Sequence, residues 1–264
     1  MLQQAYKEGF ITSIENNDFT KGLNSFIIKI ISKKKKEPFF LTKFRLDSYK
    51  KWKKLTLPEW STLNIPLLNY QKITYFSKPK QNVKNNDIKI VKTFKNLGVT
   101  LEEHIIENKF AIDAIFDSVS IATTFKKKLA KMGIIFCSIL EAIEKYPKLV
   151  KTYLGSVVSS NDNYFAALNS AVFTEGSFCF IPQNTICPLN ISTYFRINNE
   201  NAGQFERTLI IAEKNSKINY FEGCSAPIYK KNQLHAAIVE LLALENAEIN
   251  YSTIQNWYSG DAQG

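Results

Sequence analysis

The stretch NYFEGCSAP, residues 219–227, puts Cys224 at the end of a strand-like run, on a turn between Gly223 and Ser225. A cysteine there is either a nucleophile or a small apolar filler. The thiolate is the reactive form, and near neutral pH it needs cationic neighbours or helix-end donors. The local charge is unhelpful. Glu222 lies two residues earlier, on the same face of an extended strand, and raises the thiol pKa. Lys230 and Lys231 follow closely, and Arg196, on a separate run, is the candidate for activating the thiol. Cys137, Cys179 and Cys187 sit in apolar runs or before Pro188 and read as structural. His235, in NQLHAAIVE, is suited to proton transfer or metal ligation, or to a hydrogen-bonded place at a strand start. Asp113 and Asp117 stand four apart in AIDAIFDS, which reads as one helical turn and a salt-bridging role.

Composition narrows the class. The 264 residues are 45% hydrophobic, enough for a sizeable core. No apolar run reaches the roughly 18 residues that span a bilayer, and the stretch MLQQAYKEGF reads as unlike a signal or transit peptide. The four cysteines lack paired spacing, which argues against a disulfide framework or a zinc knuckle. No phosphate-binding glycine loop, nucleophile elbow or H-E-x-x-H is present. The net charge of +10 is uneven, with 28 basic against 14 acidic residues in 1–154 and 6 against 10 in 155–264. The lysines are scattered along amphipathic stretches as solvated faces are, so nucleic acid is not the expected partner. Only Arg45, Arg196 and Arg207 are arginine, a bias of an AT-rich coding sequence.

Two regions must position these groups. Residues 1–157 read as mainly helical. Leu23, Phe26, Ile27, Ile30 and Ile31 recur at helical spacing, as do Phe40, Leu41, Phe44 and Trp52. Thr100 with Glu103 and Ser138 with Glu141 are capping-box pairs, and Gly133 and Gly155 sit where helices stop. The stretch 58–86 reads as extended loop. After a short helix in NYFAALNSA, residues 158–264 change period. SFCFI, STYFRI, ERTLIIA, KINYFEG, AAIVELLAL and EINYSTIQNW alternate and are separated by polar turns. NSKINYFEG and NAEINYSTI echo one another at a step of 31 residues, which suggests a solenoid of parallel strands; an antiparallel sandwich is the alternative. The pattern is that of an α+β chain, a helical region followed by strands that a parallel β-helix fits, and such a β-helix needs a cap beyond its last strand.

The strings FAALNSAVFTEGSFCFIP, STYFRIN, GQFERTLIIAE, YFEGCSAP, QLHAAIVEL and YSTIQNWYSGD carry a resemblance. Together with earlier stretches such as LVKTYLGSVV, they resemble the SufB family, scaffolds of the SUF iron–sulfur cluster assembly system. The resemblance implies a right-handed parallel β-helix behind the helical region, incomplete at its C-terminal end, and a scaffold, not an enzyme. Cys224 would accept sulfur as a persulfide, and Arg196, Asn198, Gln255 and Trp257 would line a path for it inside the β-helix. Implied partners are a SufC-type ATPase, a SufD-type paralogue and a cysteine desulfurase with a SufE-type donor. The implied cargo is a transient iron–sulfur cluster, whose ligands in the family lie beyond residue 264. Taken with the Asn/Lys/Ile bias, the resemblance implies a plastid or apicoplast stroma, with a bacterial cytoplasm as the alternative. Competing readings are a truncated remnant, half of a split scaffold, a polysaccharide-acting β-helix enzyme and a basic nucleic-acid-binding module.

Overall fold

The computed structural model describes residues 9–12, 16–18, 21–60, 62, 68–79, 88–99, 101, 110–117, 119–198, 203–228 and 234–257. A short antiparallel pair, β1 (Asn16–Asp18) and β2 (Ser77–Pro79), lies near the start. Helix α1 (Ser25–Lys34) begins at Asn24, whose side-chain oxygen accepts from the Phe26 and Ile27 amides, satisfying two orphan donors of the first turn. Its buried stripe is Ile27, Ile28 and Ile31; Phe26 points to solvent. Helices α2 (Phe39–Trp52) and α3 (Ile88–Asn96) follow. The Thr100–Glu103 capping pair lies outside the described residues.

The first half also holds three strands in a region whose periodicity predicts helix: β3 (Phe110–Phe116), β4 (Val119–Thr123) and β5 (Ile135–Ser138), with α4 (Lys126–Ala130) between β4 and β5. AIDAIFD is strand, not helix. Asp113 is buried in mid-strand, where its Oδ1 accepts from the Ser120 and Thr123 hydroxyls at 2.9 Å each. Asp117 sits past the strand end in the left-handed region, φ 51°. Two short helices come next, α5 (Ile139–Lys145) and α6 (Pro147–Tyr153). Ser138 caps α5 by accepting from the Glu141 amide at 3.2 Å, and Pro147 opens α6. Gly133 and Gly155 follow α4 and α6 with φ 74° and 77°, a conformation that costs glycine little. Helix α7 (Tyr164–Val172), capped by Asn163, is buried along most of its length.

Six strands then follow, as the alternation predicts: β6 (Ser177–Ile181), β7 (Asn190–Arg196), β8 (Gln204–Ala212), β9 (Lys217–Ser225), β10 (His235–Ala243) and β11 (Glu248–Asn256). They fall alternately into two sheets. One has the order β10-β8-β6-β5 and the other β11-β9-β7-β3-β4. Pairing among these six is parallel throughout, which removes the antiparallel sandwich. Gln204 pairs with His235 and Lys217 with Glu248, so the 31-residue echo is the register of neighbouring strands. Ile218, Asn219 and Tyr220 lie directly beside Ile249, Asn250 and Tyr251.

The turns repeat with the strands. Asn184, Asn215 and Asn246 each take φ of 55–57°, a left-handed conformation that asparagine tolerates. Their amides form a ladder, Asn215 Nδ2 to Asn184 Oδ1 at 2.9 Å and Asn246 Nδ2 to Asn215 Oδ1 at 3.2 Å. Another ladder runs Asn250 to Asn219 to Asn190 at 3.0 and 3.1 Å. The inner faces of both sheets share one core, with Cys179, Ile181 and Ile210 from one and Ile191, Ile218 and Tyr220 from the other. The outer face of the four-stranded sheet, through Phe178, Phe205, Leu209 and Ile211, is covered by α1, α2, α5 and α7. Among the described residues no helix is long and apolar enough to cross a membrane.

Candidate functional site

Cys224 lies inside β9, one residue before its end, and not on a turn. Ile218, Tyr220, Glu222 and Cys224 alternate inward along β9, so the thiol points between the two sheets and is 1% exposed. Its neighbours in register are Phe195 on β7 and Gln255 on β11. Ile115 and Phe195 pack on it from one side. Across the gap, from β8, Glu206 Oε2 stands 4.0 Å from Sγ, a long contact for an S–H donor.

The polar groups of this corner form a closed circuit. Glu206 Oε2 is 3.3 Å from His235 Nε2 at the first residue of β10. The His235 ring lies 4.7 Å from the Trp257 ring at 56°. Trp257 Nε1 donates to Gln255 Oε1 at 2.8 Å, and the Gln255 side chain in turn hydrogen-bonds Cys224. Gln204 Nε2 donates to Glu206 Oε1 at 3.1 Å, and Thr208 Oγ1 donates to Glu222 Oε2 at 3.3 Å. Burial, with the Glu206 and Glu222 carboxylates beside it, pushes the Cys224 thiol far above its ordinary range, and Gln255 offsets part of this. Glu222 is pushed up to about 7 by burial and by Glu206. In this arrangement the thiol holds its proton, and capture of an electrophilic sulfur needs a group that removes it.

The sequence-derived site divides in two. Gln255 and Trp257 join Cys224, each on the exposed edge strand or just beyond it. Arg196 and Asn198 do not. Arg196 follows Phe195, so it projects from the opposite face of β7 and stands beside Ser225 rather than Cys224. There it is fully buried: Nη1 donates to Ser225 Oγ at 3.1 Å, Nη2 donates to the Phe10 carbonyl, and the guanidinium lies 4.7 Å from the Phe10 ring centroid. Asn198 binds the same segment, exchanging bonds of 2.9 Å with the Thr12 amide and carbonyl. Arg196 and Cys224 are therefore not brought together by this geometry; Arg196 holds Phe10, and Asn198 holds Thr12, onto the sheet. Lys230 and Lys231 lie outside the described residues. Cys137 and Cys179 are buried, Cys187 is half-buried, and all four cysteines are free thiols.

Glu206 and the place of His235 beside it are what the residue patterns missed. Every residue of β8 is buried, so its alternation carries no contrast between faces. The available signal is the polar series Gln204, Glu206, Thr208 at every other position.

The family pattern described as "SufBD protein N-terminal region" matches residues 32–192, and that described as "SUF system FeS cluster assembly, SufBD core domain" matches residues 195–263. The chain belongs to the SufBD family. A SufBD family protein, ycf24, of Guillardia theta is 60% identical over 269 residues, covering 100% of this chain and 56% of the relative. The chloroplastic SufBD family protein ABCI8 of Arabidopsis thaliana is 54% identical, covering 98% of this chain and 47% of the relative. The iron–sulfur cluster assembly protein SufB of Plasmodium falciparum is 42% identical over 98% of this chain and 54% of its own length. The chain spans about half the length of these SufBD relatives. The match is of the SufB type and agrees with the resemblance read from the motifs. Among the described residues no group of three or more His, Cys, Asp and Glu is arranged to hold a metal ion.

Proposed function

We propose that this SufBD chain works as a sulfur-accepting scaffold in iron–sulfur cluster assembly, with Cys224 receiving sulfane sulfur as a persulfide. The observation that carries the reading is the placement of Cys224. Its thiol is set among carboxylates, a carboxamide and an imidazole at the exposed end of the two-sheet core, while Cys137 and Cys179 lie in apolar packing. The alternation of β6–β11 between two parallel sheets at a 31-residue step supports reading this half as a right-handed parallel β-helix. A helix of strands brings the inward residues of successive turns into line, which is the geometry that passes cargo along an interior. Gln255 and Trp257 continue that line from Cys224 at the exposed edge.

The step balances without an outside oxidant. The Cys224 sulfur attacks the terminal sulfur of a donor persulfide, a new S–S bond forms, and the donor's S–S bond breaks. The electron pair leaves on the donor thiolate, which takes up the proton lost by Cys224. A cysteine desulfurase with a SufE-type protein is the proposed donor; a SufC-type ATPase and a SufD-type paralogue are the proposed assembly partners. The family, with its chloroplastic and Plasmodium members, supports the SUF setting in a plastid or apicoplast stroma. The test is mass spectrometry of Cys224 after incubation with desulfurase, SufE-type donor and cysteine, beside a Cys224→Ser control. A gain of one sulfur on Cys224, lost in the control, supports the reading; a folded protein with no sulfur on Cys224 refutes it.

A further inference from the structure

We infer that Glu206 accepts the Cys224 proton as the thiol attacks the incoming persulfide, and that His235 is the positioning residue that holds Glu206 and carries the proton outward. The inference rests on the sulfur-acceptor reading of Cys224 and adds the acid–base residues that reading lacks.

The argument starts from the shared atom. Glu206 Oε2 faces both the Cys224 thiol, at 4.0 Å, and His235 Nε2, at 3.3 Å, while Oε1 is occupied by the Gln204 amide. One carboxylate oxygen therefore sits between the proton's source and its first relay. The exposures run in the same order: Cys224 is 1% exposed, and the Glu206 and His235 side chains are 2% and 18% exposed. A buried acceptor with no outlet would trap the proton; His235 supplies the outlet. Trp257 lies against the imidazole, and Trp257 is tied through Gln255 to the thiol, so the ring is held from both sides. Among the described residues, the other titratable groups facing this corner are Glu222 from β9 and Tyr251 from β11, bonded to each other. Glu222 acts on the thiol through its charge.

This difference separates a base from a bystander charge. A carboxylate that acts only through its field holds the thiol protonated, so neutralising it eases thiolate formation and speeds sulfur capture. A carboxylate that takes the proton in the transition state does the opposite, since general-base assistance is typically worth about 10²–10⁴-fold.

The experiment uses the full chain and two probes. Glutathione persulfide reports sulfur capture at Cys224, and iodoacetamide reports proton removal from the same thiol without any sulfur transfer. Rates are read by mass spectrometry from pH 5.5 to 9 for the parent, Glu206→Gln, Glu222→Gln, His235→Gln and Cys224→Ser, with far-UV circular dichroism confirming the fold. Glu206→Gln is expected to slow both reactions roughly 10²-fold or more, and Glu222→Gln to leave them equal or faster. His235→Gln is expected to slow both by a smaller factor and to displace the lower limb of the pH profile, which loss of packing alone would not do. Glu206→Gln reacting as fast as the parent, or faster, overturns the assignment. Should the parent take no sulfur yet Glu206→Gln still slow alkylation, the acceptor reading of Cys224 fails while the base assignment stands.

Discussion

Replacing Glu240 by alanine tests how the helical layer is fastened to the strand layer. Glu240 projects from the helix-covered face of β10 and is fully buried. Its Oε1 accepts from Arg207 Nε at 2.9 Å and from the Gly155 amide at 2.9 Å; Arg207 Nη2 lies 2.8 Å from the same oxygen. Its Oε2 accepts from the Val157 and Val158 amides at 3.1 Å each. One carboxylate thus binds the turn after α6 to strands β8 and β10. Removing it leaves a buried guanidinium without its counter-charge, for which about 3–5 kcal/mol is the usual cost. Arg207 keeps Ser170 Oγ at 2.9 Å and the Val158 carbonyl at 2.8 Å, which lowers that figure. The three released amides raise it by roughly 1 kcal/mol or more, since they are only part-buried and water can reach some of them. The sum is about 4 kcal/mol, equivalent to a fall of roughly 8–16 °C in Tm at 2–4 °C per kcal/mol for a domain of this size. Urea unfolding followed by circular dichroism measures it. Glu240→Leu with Arg207→Met removes both charges together and should cost less than Glu240→Ala alone, because no ion is left unpaired. A cost for Glu240→Ala below about 1.5 kcal/mol, or a double variant worse than the single one, refutes the argument.

Other predictions concern the strand layer. Glu222, raised to about 7 in the folded chain, binds its proton more tightly there than when unfolded. Its contribution is therefore fully present below the unfolded pKa near 4.5 and is lost as pH rises through about 7. Asp113, raised to about 6 by burial, acts in the same direction. Urea midpoints at pH 5 and pH 8 should show this loss, and Glu222→Gln should flatten it by roughly 2–3 kcal/mol. Asn215→Ala removes two ladder bonds and the residue type that tolerates φ 57°, and should cost about 1–2 kcal/mol. Asn215→Gly, which keeps the backbone conformation, should recover part of that in the same assay. Gly176→Ala would place a Cβ 2.0 Å from the Arg207 carbonyl oxygen, so β6 and β8 must part; a loss of at least about 3 kcal/mol, or no soluble protein, is expected.

The three arginines show how composition and structure differ in what they reveal. In a chain where lysine otherwise supplies the positive charge, Arg45, Arg196 and Arg207 resemble a coding bias, yet all three are fully buried. Arg45 grips both oxygens of Glu37 at 2.6 and 2.8 Å, and Arg207 binds Glu240 through two nitrogens. Several fixed donors pointing in different directions are what a guanidinium offers and an ammonium does not. Lys214 and Lys217, by contrast, pair Glu245 and Glu248 one strand over, on exposed side chains. AIDAIFD is ambiguous in sequence for a related reason. Five apolar residues around the buried Asp113 satisfy a helical stripe as well as a strand, and only the pairing of β3 with β7 and β4 decides between them.

From the amino-acid order alone come the helix cap at Ser138, the six alternating runs and the 31-residue step. These are local preferences of backbone and side chain, complete within a few neighbours or repeated along the chain. The family motifs are legible for the same reason. What only the tertiary structure decides is which face of each strand points inward. Alternation says that Arg196 and Asn198 share a side and that Glu222 and Cys224 share a side. It cannot say that Arg196 and Asn198 point out toward residues 10–12 while Glu222 and Cys224 point in between the sheets, the thiol toward Glu206. Those directions depend on what covers each sheet, and both faces of β8 are covered. The pairing of Cys224 with Glu206 and His235, from three strands in two sheets, exists only once the chain has wound back on itself.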